Sequence, residues 1–249
     1  QGDDFGRDIG IFGMGIAMGD IELDGDLDMV LSNTNGRLPA YSMVGDQAVE
    51  QTAAWGLGSP EIESSRNGWG LELVDLDNDR DLDLLTAWGY KERGDAEEFG
   101  VPQRNSLHRW TGQGFEDASE LLPPVEGLAW RSPLVADLNA DGALDFVWTG
   151  IVDQPQVVLG VPNGNRWIEV ALQGPPGNRD GLGAQVCVTA SDRERCELIT
   201  VGGRGLFSAR EPVAHIGLGV DELQEVRVQW PDGSLTVELD LAPNQRITL

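Results

Sequence analysis

Three nine-residue stretches of the chain place oxygen-bearing side chains at alternate positions. They begin at Asp20, Asp75 and Asp137, and positions 1, 3, 5 and 9 of each carry a carboxylate or an amide. Calcium takes six to eight oxygen ligands, and alternate residues of a curled loop can face one ion while position 7 offers its carbonyl. The spacing therefore predicts up to three Ca²⁺ sites. The candidate ligands are Asp20, Glu22, Asp24, Asp26 and Asp28; Asp75, Asp77, Asp79, Asp81 and Asp83; and Asp137, Asn139, Asp141, Ala143 and Asp145.

Two other interpretations of these loops compete with calcium. The first is three solvated, acid-rich turns, but clustered carboxylates repel one another without a cation, and three registered copies argue against coincidence. The second is an EF-hand, which needs a glutamate at position 12 and flanking helices. Position 12 is Leu31, Thr86 or Trp148 here, and the flanks are strand-like. Magnesium demands a stricter octahedron, so calcium is favoured.

The second loop departs from the pattern at position 6. Gly25 and Gly142 occupy this position in the other two loops, whereas the second loop has Arg80. A positive φ is costly for a residue other than glycine, and a cation opposes Ca²⁺. We expect the second site to be the weakest, unless Asn78 or a shifted backbone compensates.

Each acidic loop lies between two apolar segments, and the whole unit repeats. The first aspartates lie 55 and 62 residues apart, and residues 37–57 parallel residues 104–122 as strand, turn and strand. About four short strands per unit is typical of propeller blades. The pattern predicts a partial or incomplete β-propeller over residues 1–163. We expect the flanking tryptophans to pack between blades, although exposed ones could stack on sugars. They are Trp69, Trp88, Trp130 and Trp148.

After residue 163 the acidic loops stop and a different β pattern begins. Seven short strands are predicted in residues 164–249, which indicates a small β-sandwich or barrel. Cys187 and Cys196 flank a polar turn between two of these strands. A cross-strand disulfide is predicted, with two free thiols as the alternative. The predicted fold class is thus all-β throughout.

Composition limits the partners. The 249 residues carry a formal net charge of −25, which disfavours nucleic acid and anionic membrane surfaces. No apolar stretch approaches the length of a membrane span, so we expect no direct membrane insertion. The chain begins with Gln1, which fits a processed protein or a fragment. Three loop motifs are fewer than the usual four to eight blades. We therefore expect either the C-terminal part of a longer chain, or a partial propeller that another chain closes or that packs on the C-terminal β domain.

The loops and the C-terminal segments resemble known families. The acidic loops between strands resemble the FG-GAP/VCBS repeat. The stretches "NRWIEVAL", "GNRDGLGAQVCV", "HIGLG", "VRVQWPDGS" and "APNQRITL" resemble the ASPIC/UnbV domain. Together they resemble the cartilage acidic protein family. The resemblance implies calcium in the blade loops, a secreted, extracellular or periplasmic, cell-surface location, and a role in adhesion or extracellular assembly. It implies no established catalytic activity.

Three functional hypotheses follow. The leading one is a secreted, calcium-stabilised interaction or structural module with a protein or glycan partner, and not an enzyme. The second is a glycan-binding protein or a glycan hydrolase, and the hydrolase needs two carboxylates about 5–9 Å apart that are free of metal. The third is an accessory subunit of a larger extracellular or membrane-attached complex. Neither His108 nor His215 lies in a catalytic signature, so we expect structural hydrogen bonds from both.

Overall fold

The described residues of the chain form five small β-sheets in a computed structural model. The structure describes residues 13–34, 36–58, 66–90, 103–124, 129–151, 154–191, 193–201 and 209–249. Within these ranges it has eighteen strands and one short 3₁₀ helix, Ser119–Leu121. The predicted all-β class is confirmed. No helix in the described ranges is long and apolar enough to cross a membrane.

Three of the sheets are blades with up-and-down strand order. Blade 1 contains β1 (Ile16–Gly19), β2 (Asp28–Leu31), β3 (Ala40–Val44) and β4 (Gln47–Glu50). Blade 2 contains β5 (Gly68–Val74), β6 (Asp83–Trp88), β7 (Ser106–Trp110) and β8 (Phe115–Asp117). Blade 3 contains β9 (Trp130–Ala136), β10 (Asp145–Gly150) and β11 (Gln156–Val158). Each acidic loop joins the first and second strands of its blade.

Blade 3 differs from the predicted four-strand unit. Its described part has three strands, ordered β11-β10-β9. After Val158 the chain runs without regular structure through residues 159–165 and enters the C-terminal sheets. These residues pass to the next sheets instead of pairing as a fourth strand.

Neighbouring blades share hydrophobic cores. One core joins blade 1 to blade 2 and contains Ala17, Val30, Leu71 and Trp88. A second core joins blade 2 to blade 3 through Leu85, Trp130 and Trp148, among others. The predicted packing role therefore holds for three of the four flanking tryptophans. The fourth, Trp69, is half-buried, and the Arg131 guanidinium lies 3.8 Å from its ring centroid.

The last two sheets face each other and form the C-terminal sandwich. One has the order β15-β12-β18 and the other the order β14-β13-β16-β17. They enclose one core that includes Ile168, Val186, Ile216 and Val228. The strands are β12 (Arg166–Ala171), β13 (Gln185–Ala190), β14 (Arg193–Leu198), β15 (Val213–Gly219), β16 (Leu223–Gln229), β17 (Leu235–Leu239) and β18 (Gln245–Thr248). All seven predicted strands are present. The division of the chain into domains at residues 163 and 164 stays a prediction.

The two cysteines form a disulfide, as the hairpin pattern predicted. Cys187 on β13 lies directly opposite Cys196 on β14, and their sulfurs are bonded. The bond closes a short loop between adjacent strands. It therefore constrains the β13–β14 hairpin.

Candidate metal centre

The three acidic loops share one internal hydrogen-bond pattern. In each loop the position-1 carboxylate accepts the backbone N–H groups of positions 5 and 6, at 2.8–3.2 Å. The position-5 carboxylate accepts the N–H of position 7, at 2.9–3.0 Å. These bonds curl the chain around the side chains of positions 1, 3 and 5. The same geometry arises in three segments whose sequences differ at most other positions.

Two residues of every loop take a left-handed backbone conformation. Position 4 has φ of 57° at Leu23, 58° at Asn78 and 59° at Ala140. Position 6 has φ of 94° at Gly25, 86° at Arg80 and 86° at Gly142. Arg80 thus adopts the conformation of the glycines it replaces, and the backbone of the second loop is not shifted. Such a φ costs a side-chain-bearing residue roughly 1–3 kcal/mol, which its contacts must offset.

The position-9 aspartates connect each loop, through hydrogen bonds, to the third strand of its blade or to the residues just after that strand. Asp145 is fully buried, and its two oxygens accept the N–H groups of Leu138, at 2.8 Å, and Gly160, at 2.7 Å. Asp28 in the same way accepts the N–H groups of Ile21 and Met43. These carboxylates have a structural function within the fold. Their membership in a calcium ligand set stays a prediction.

Replacing Asp145 with asparagine tests this connection. The amide has one acceptor oxygen, so one of the two buried N–H donors would face an NH₂ group. We expect Asp145→Asn to lower the free energy of unfolding by about 1.5–3 kcal/mol, the usual contribution of a hydrogen bond to a charged group. Urea denaturation in the presence of a calcium chelator measures the loss without any contribution from metal.

Asp141→Asn is the matched control for Asp145→Asn. Asp141 is exposed, and its amide replacement can still accept the N–H of Ala143 through one oxygen. We expect a change within about 0.5 kcal/mol in the same chelator-containing buffer. Equal losses in the two variants would show that position 9 contributes no more than an ordinary loop carboxylate.

The second loop brings carboxylates together most closely. Oxygens of Asp75, Asp77 and Asp79 lie within 4.8 Å of one another, a group that could hold a metal ion. The Oδ1 atom of Asp77 is buried and has no hydrogen-bond partner among the described residues. Hard oxygen donors converging in this way fit Ca²⁺. The residues present therefore suit the ion that the spacing predicts.

Burial changes the titration of several loop carboxyls. It raises the pKa of Asp75 and of Asp28 to about 6 each. Burial, and then the negative charges of Asp75 and Asp79, raise the pKa of Asp83 to about 8. All three values lie above the ordinary 3.8 because these sites are poor in solvent and rich in like charge. A bound cation reverses that imbalance by favouring the ionised forms.

Two arginines mark the second loop as unusual. Arg109 of β7 forms ion pairs with Asp77 and, at 3.4 Å, with Asp79. Sequence reasoning missed this residue, because it lies in another part of the blade and no spacing rule links it to the loop. Arg80, which was expected to oppose the ion, directs its guanidinium to the C-terminal sandwich and pairs with Asp221 at 2.7 Å. Whether the second site is the weakest stays a prediction.

The first and third loops are more open. Asp24, Asp26 and Asp141 are exposed, as is Glu22, whose carboxylate accepts the Ser42 hydroxyl at 2.6 Å. Asp20 is half-buried, and its pKa is raised mainly by that burial. Positions 3 and 5 of these loops therefore lie near solvent, whereas Asp28, Ala143 and Asp145 are buried. A calcium ion there would keep several water ligands.

Comparison with known families agrees with the resemblance inferred from the sequence. Residues 20–86 match the FG-GAP-like repeat, and residues 174–249 match the ASPIC and UnbV domain. The first match spans the first two acidic loops, and the second match covers most of the C-terminal sandwich. The two motifs thus occur in one chain in the order that the sequence indicated.

Three curated relatives align with most of this chain. The chain is 29% identical over 231 residues to cartilage acidic protein 1 of Mus musculus and 28% identical over 231 residues to that of Homo sapiens. It is 28% identical over 237 residues to the Xenopus tropicalis protein. Each alignment covers 90% of this chain but only 33–34% of the relative. The chain spans about a third of the length of these homologues.

Proposed function

We propose that this chain, which joins an FG-GAP-like repeat to an ASPIC and UnbV domain, is a secreted calcium-binding module that mediates contacts in an extracellular assembly. Calcium has a structural role in this proposal. One ion in each acidic loop holds the turn between the first two strands of a blade and fixes the face that the blade presents. The module binds a protein or glycan partner and carries out no catalysis.

The single observation that carries this proposal is the backbone conformation that the three loops share. Positions 1 and 5 hold the backbone in one conformation in all three, although the second loop has Arg80 in place of glycine. A loop that served only as a solvated turn would not need the same left-handed residues each time. Grouped oxygens of Asp75, Asp77 and Asp79 supply the donor chemistry.

Two further observations support an extracellular location. The Cys187–Cys196 disulfide is a feature of oxidising compartments. The similar proteins carry the name cartilage acidic protein 1, and this chain shares their acidity with its net charge of −25. A strongly negative protein surface attracts cations. It also favours partners whose contact faces are basic or neutral.

Calcium titration of the chelator-treated chain tests the proposal directly. Isothermal calorimetry with CaCl₂, together with native mass spectrometry, should show binding of up to three ions. Asp24→Asn, Asp79→Asn and Asp141→Asn each remove one carboxylate at position 5 and should each weaken one site, since ligand charge sets the affinity.

Asp240→Asn is the control for these three variants. Asp240 is an exposed residue outside the loops with φ of 58°, a conformation that asparagine tolerates well. The substitution removes one negative charge and should leave the titration unchanged. Absence of calcium uptake at millimolar concentration, or equal weakening by Asp240→Asn, would refute the proposal.

A further inference from the structure

The second acidic loop is packed between the blades and the C-terminal sandwich. Asp75, Asn78, Arg80 and Asp83 are each no more than 4% exposed. Position 5 of the other two loops, Asp24 or Asp141, is exposed instead. The same nine residues thus contain candidate metal ligands and the contacts to the sandwich.

Arg80 binds the β13–β14 hairpin of the sandwich. Its guanidinium donates hydrogen bonds to the carbonyls of Ala190, at 3.0 Å, and Arg193, at 2.8 Å, and to the carboxylate of Asp221, at 2.7 Å. In return the guanidinium of Arg195 donates to the carbonyl of Arg80. These contacts account for an arginine with a positive φ at position 6. It replaces a flexible glycine by an anchor to another part of the protein.

Asn78 makes the second set of contacts, at position 4. Its side-chain oxygen lies 2.8 Å from Nε2 of His215, and its amide nitrogen donates to the carbonyl of Gly142 in the third loop at 2.8 Å. Its backbone carbonyl accepts the N–H of Gly219 at 2.7 Å. Asn78 therefore ties two acidic loops to strand β15 of the sandwich.

Strand β15 also lies directly on the candidate ligand Asp75. A Cβ atom added at Gly217 would overlap the Asp75 carboxylate and the backbone of Asn78. On the other side, Asn163 and Asn165 donate to the carbonyl of Asp77 at 2.6 and 2.8 Å. The docked sandwich and the segment that leads into it therefore cover the loop and exclude water from Asp75.

This coverage has an energetic consequence. Removing a carboxylate from water is unfavourable unless an opposite charge compensates it. Arg109 and Arg195 supply part of that charge, since Arg109 pairs with Asp77 and Asp79 and Arg195 lies at the loop backbone. A divalent ion would supply the rest at the point of greatest carboxylate density. Docking and ion binding then favour each other, and the coupling is reciprocal.

We propose that divalent-cation occupancy of the second loop controls how firmly the C-terminal sandwich docks on the blades, with Arg80 and Asn78 as the positioning residues. This inference rests on the proposed function, because it requires that the second loop binds calcium. The ion thus stabilises the contact between the blades and the sandwich as well as the turn within one blade.

The variant Arg80→Gly distinguishes calcium binding that is coupled to docking from calcium binding that depends on the loop alone. The variant keeps every candidate ligand, restores the glycine that suits φ of 86°, and removes a positive charge, so a local loop would bind calcium equally well or more tightly. The coupling predicts the opposite result. Loss of the Arg80 contacts should weaken calcium binding at this loop by about 5- to 150-fold, the usual range of coupling between sites.

Hydrogen exchange of the full chain during CaCl₂ titration reports each region separately. Peptides covering residues 75–83 and 20–28 report the second and first loops. Peptides covering residues 213–219 report docking, because the Gly219 amide is bonded to Asn78. In the native sequence, calcium should slow exchange in all three regions. In Arg80→Gly, calcium should slow exchange in the first loop at the same concentration as before. A higher calcium concentration should be required to slow exchange in residues 75–83 and 213–219.

Two more variants complete the experiment. Asp221→Asn removes the ion pair of Arg80 from a partly exposed position and should give a smaller shift in the same direction, even if Arg80→Gly fails to fold. Gly177→Ala adds a methyl group to the sandwich in open space and should leave the response unchanged.

Unaltered or tighter binding at residues 75–83 in both Arg80→Gly and Asp221→Asn would overturn the inference. Calcium protection confined to the first and third loops would overturn it while leaving the proposed function intact, and absence of protection at every loop would overturn both.

Discussion

Chelation of calcium is expected to lower the free energy of unfolding by about 3 kcal/mol for each occupied loop, when the free ion was about 100-fold above its dissociation constant. The reason is mass action, because calcium binds the folded loops and not the unfolded ones. Unfolding separates positions 1, 3 and 5, which the folded loop holds close together. Three occupied loops would contribute about 8 kcal/mol, a large part of the 5–15 kcal/mol by which domains are usually stable. Urea denaturation in CaCl₂ and in EDTA measures the difference.

The calcium effect should also depend on pH. In the metal-free protein the pKa values of Asp28 and Asp75 are about 6 and that of Asp83 is about 8, all above the ordinary value of 3.8. Between these limits the folded chain binds more protons than the unfolded chain, so metal-free stability falls as pH rises from about 4 to 8. Calcium binds the ionised carboxylates. The gain in stability from calcium should therefore grow between pH 5 and pH 8.

The controls separate specific binding from ionic strength. NaCl of equal ionic strength screens repulsion among the 42 acidic residues but cannot fill a loop. It should reproduce only a small part of the gain. A gain of the same size with NaCl, or one that does not change between pH 5 and pH 8, would argue for general charge screening instead of ion binding in the loops.

The regular parts of the fold could be predicted because they repeat a local code. Three copies of strand, acidic loop and strand fixed the blade hairpins, and alternating residues such as Val226 and Val228 indicated the sandwich strands. Both are buried in the sandwich core. The Cys187–Cys196 pairing followed from the hairpin between them. Each of these features depends on residues close together in sequence.

The departures from prediction arise where distant segments meet. Strand β14 begins at Arg193, inside the stretch between the two cysteines, and pairs with β13 from Arg193 onward. The Arg193 carbonyl and the Arg195 side chain also bind Arg80. A polar, charged stretch there predicted a turn. Its charges serve an interface that becomes visible only when the blades and the sandwich are placed together.

The loop backbone was only half predictable. Glycine at position 6 signalled one left-handed residue, but position 4 is also left-handed and holds Leu23, Asn78 or Ala140. Only asparagine among these commonly adopts that conformation. In all three loops the N–H groups of positions 5 and 6, which directly follow this residue, are held by the position-1 carboxylate. Tertiary and side-chain bonding thus override the local preference of two residues.

Trp88→Ala is expected to lower the free energy of unfolding by about 3–5 kcal/mol, the usual cost of removing a fully buried tryptophan. Trp88 is 1% exposed and lies in the core that blades 1 and 2 share. Its indole N–H donates to the Ser106 hydroxyl at 2.8 Å, and the Arg66 guanidinium lies 4.2 Å from its ring centroid. Truncation leaves a void that these neighbours cannot fill without moving strands of two blades.

Denaturation in EDTA keeps the Trp88→Ala measurement independent of calcium. Trp88→Phe retains most of the ring but loses the bond to Ser106, so its loss should be smaller. Val161→Ala, at a position 83% exposed, should change stability by less than about 0.5 kcal/mol. Because the two blades share this core, hydrogen exchange should accelerate in β1–β2 as well as in β5–β8. Acceleration confined to blade 2 would mean that the blades are stabilised separately, and that only the acidic loops and the sandwich hold the assembly together.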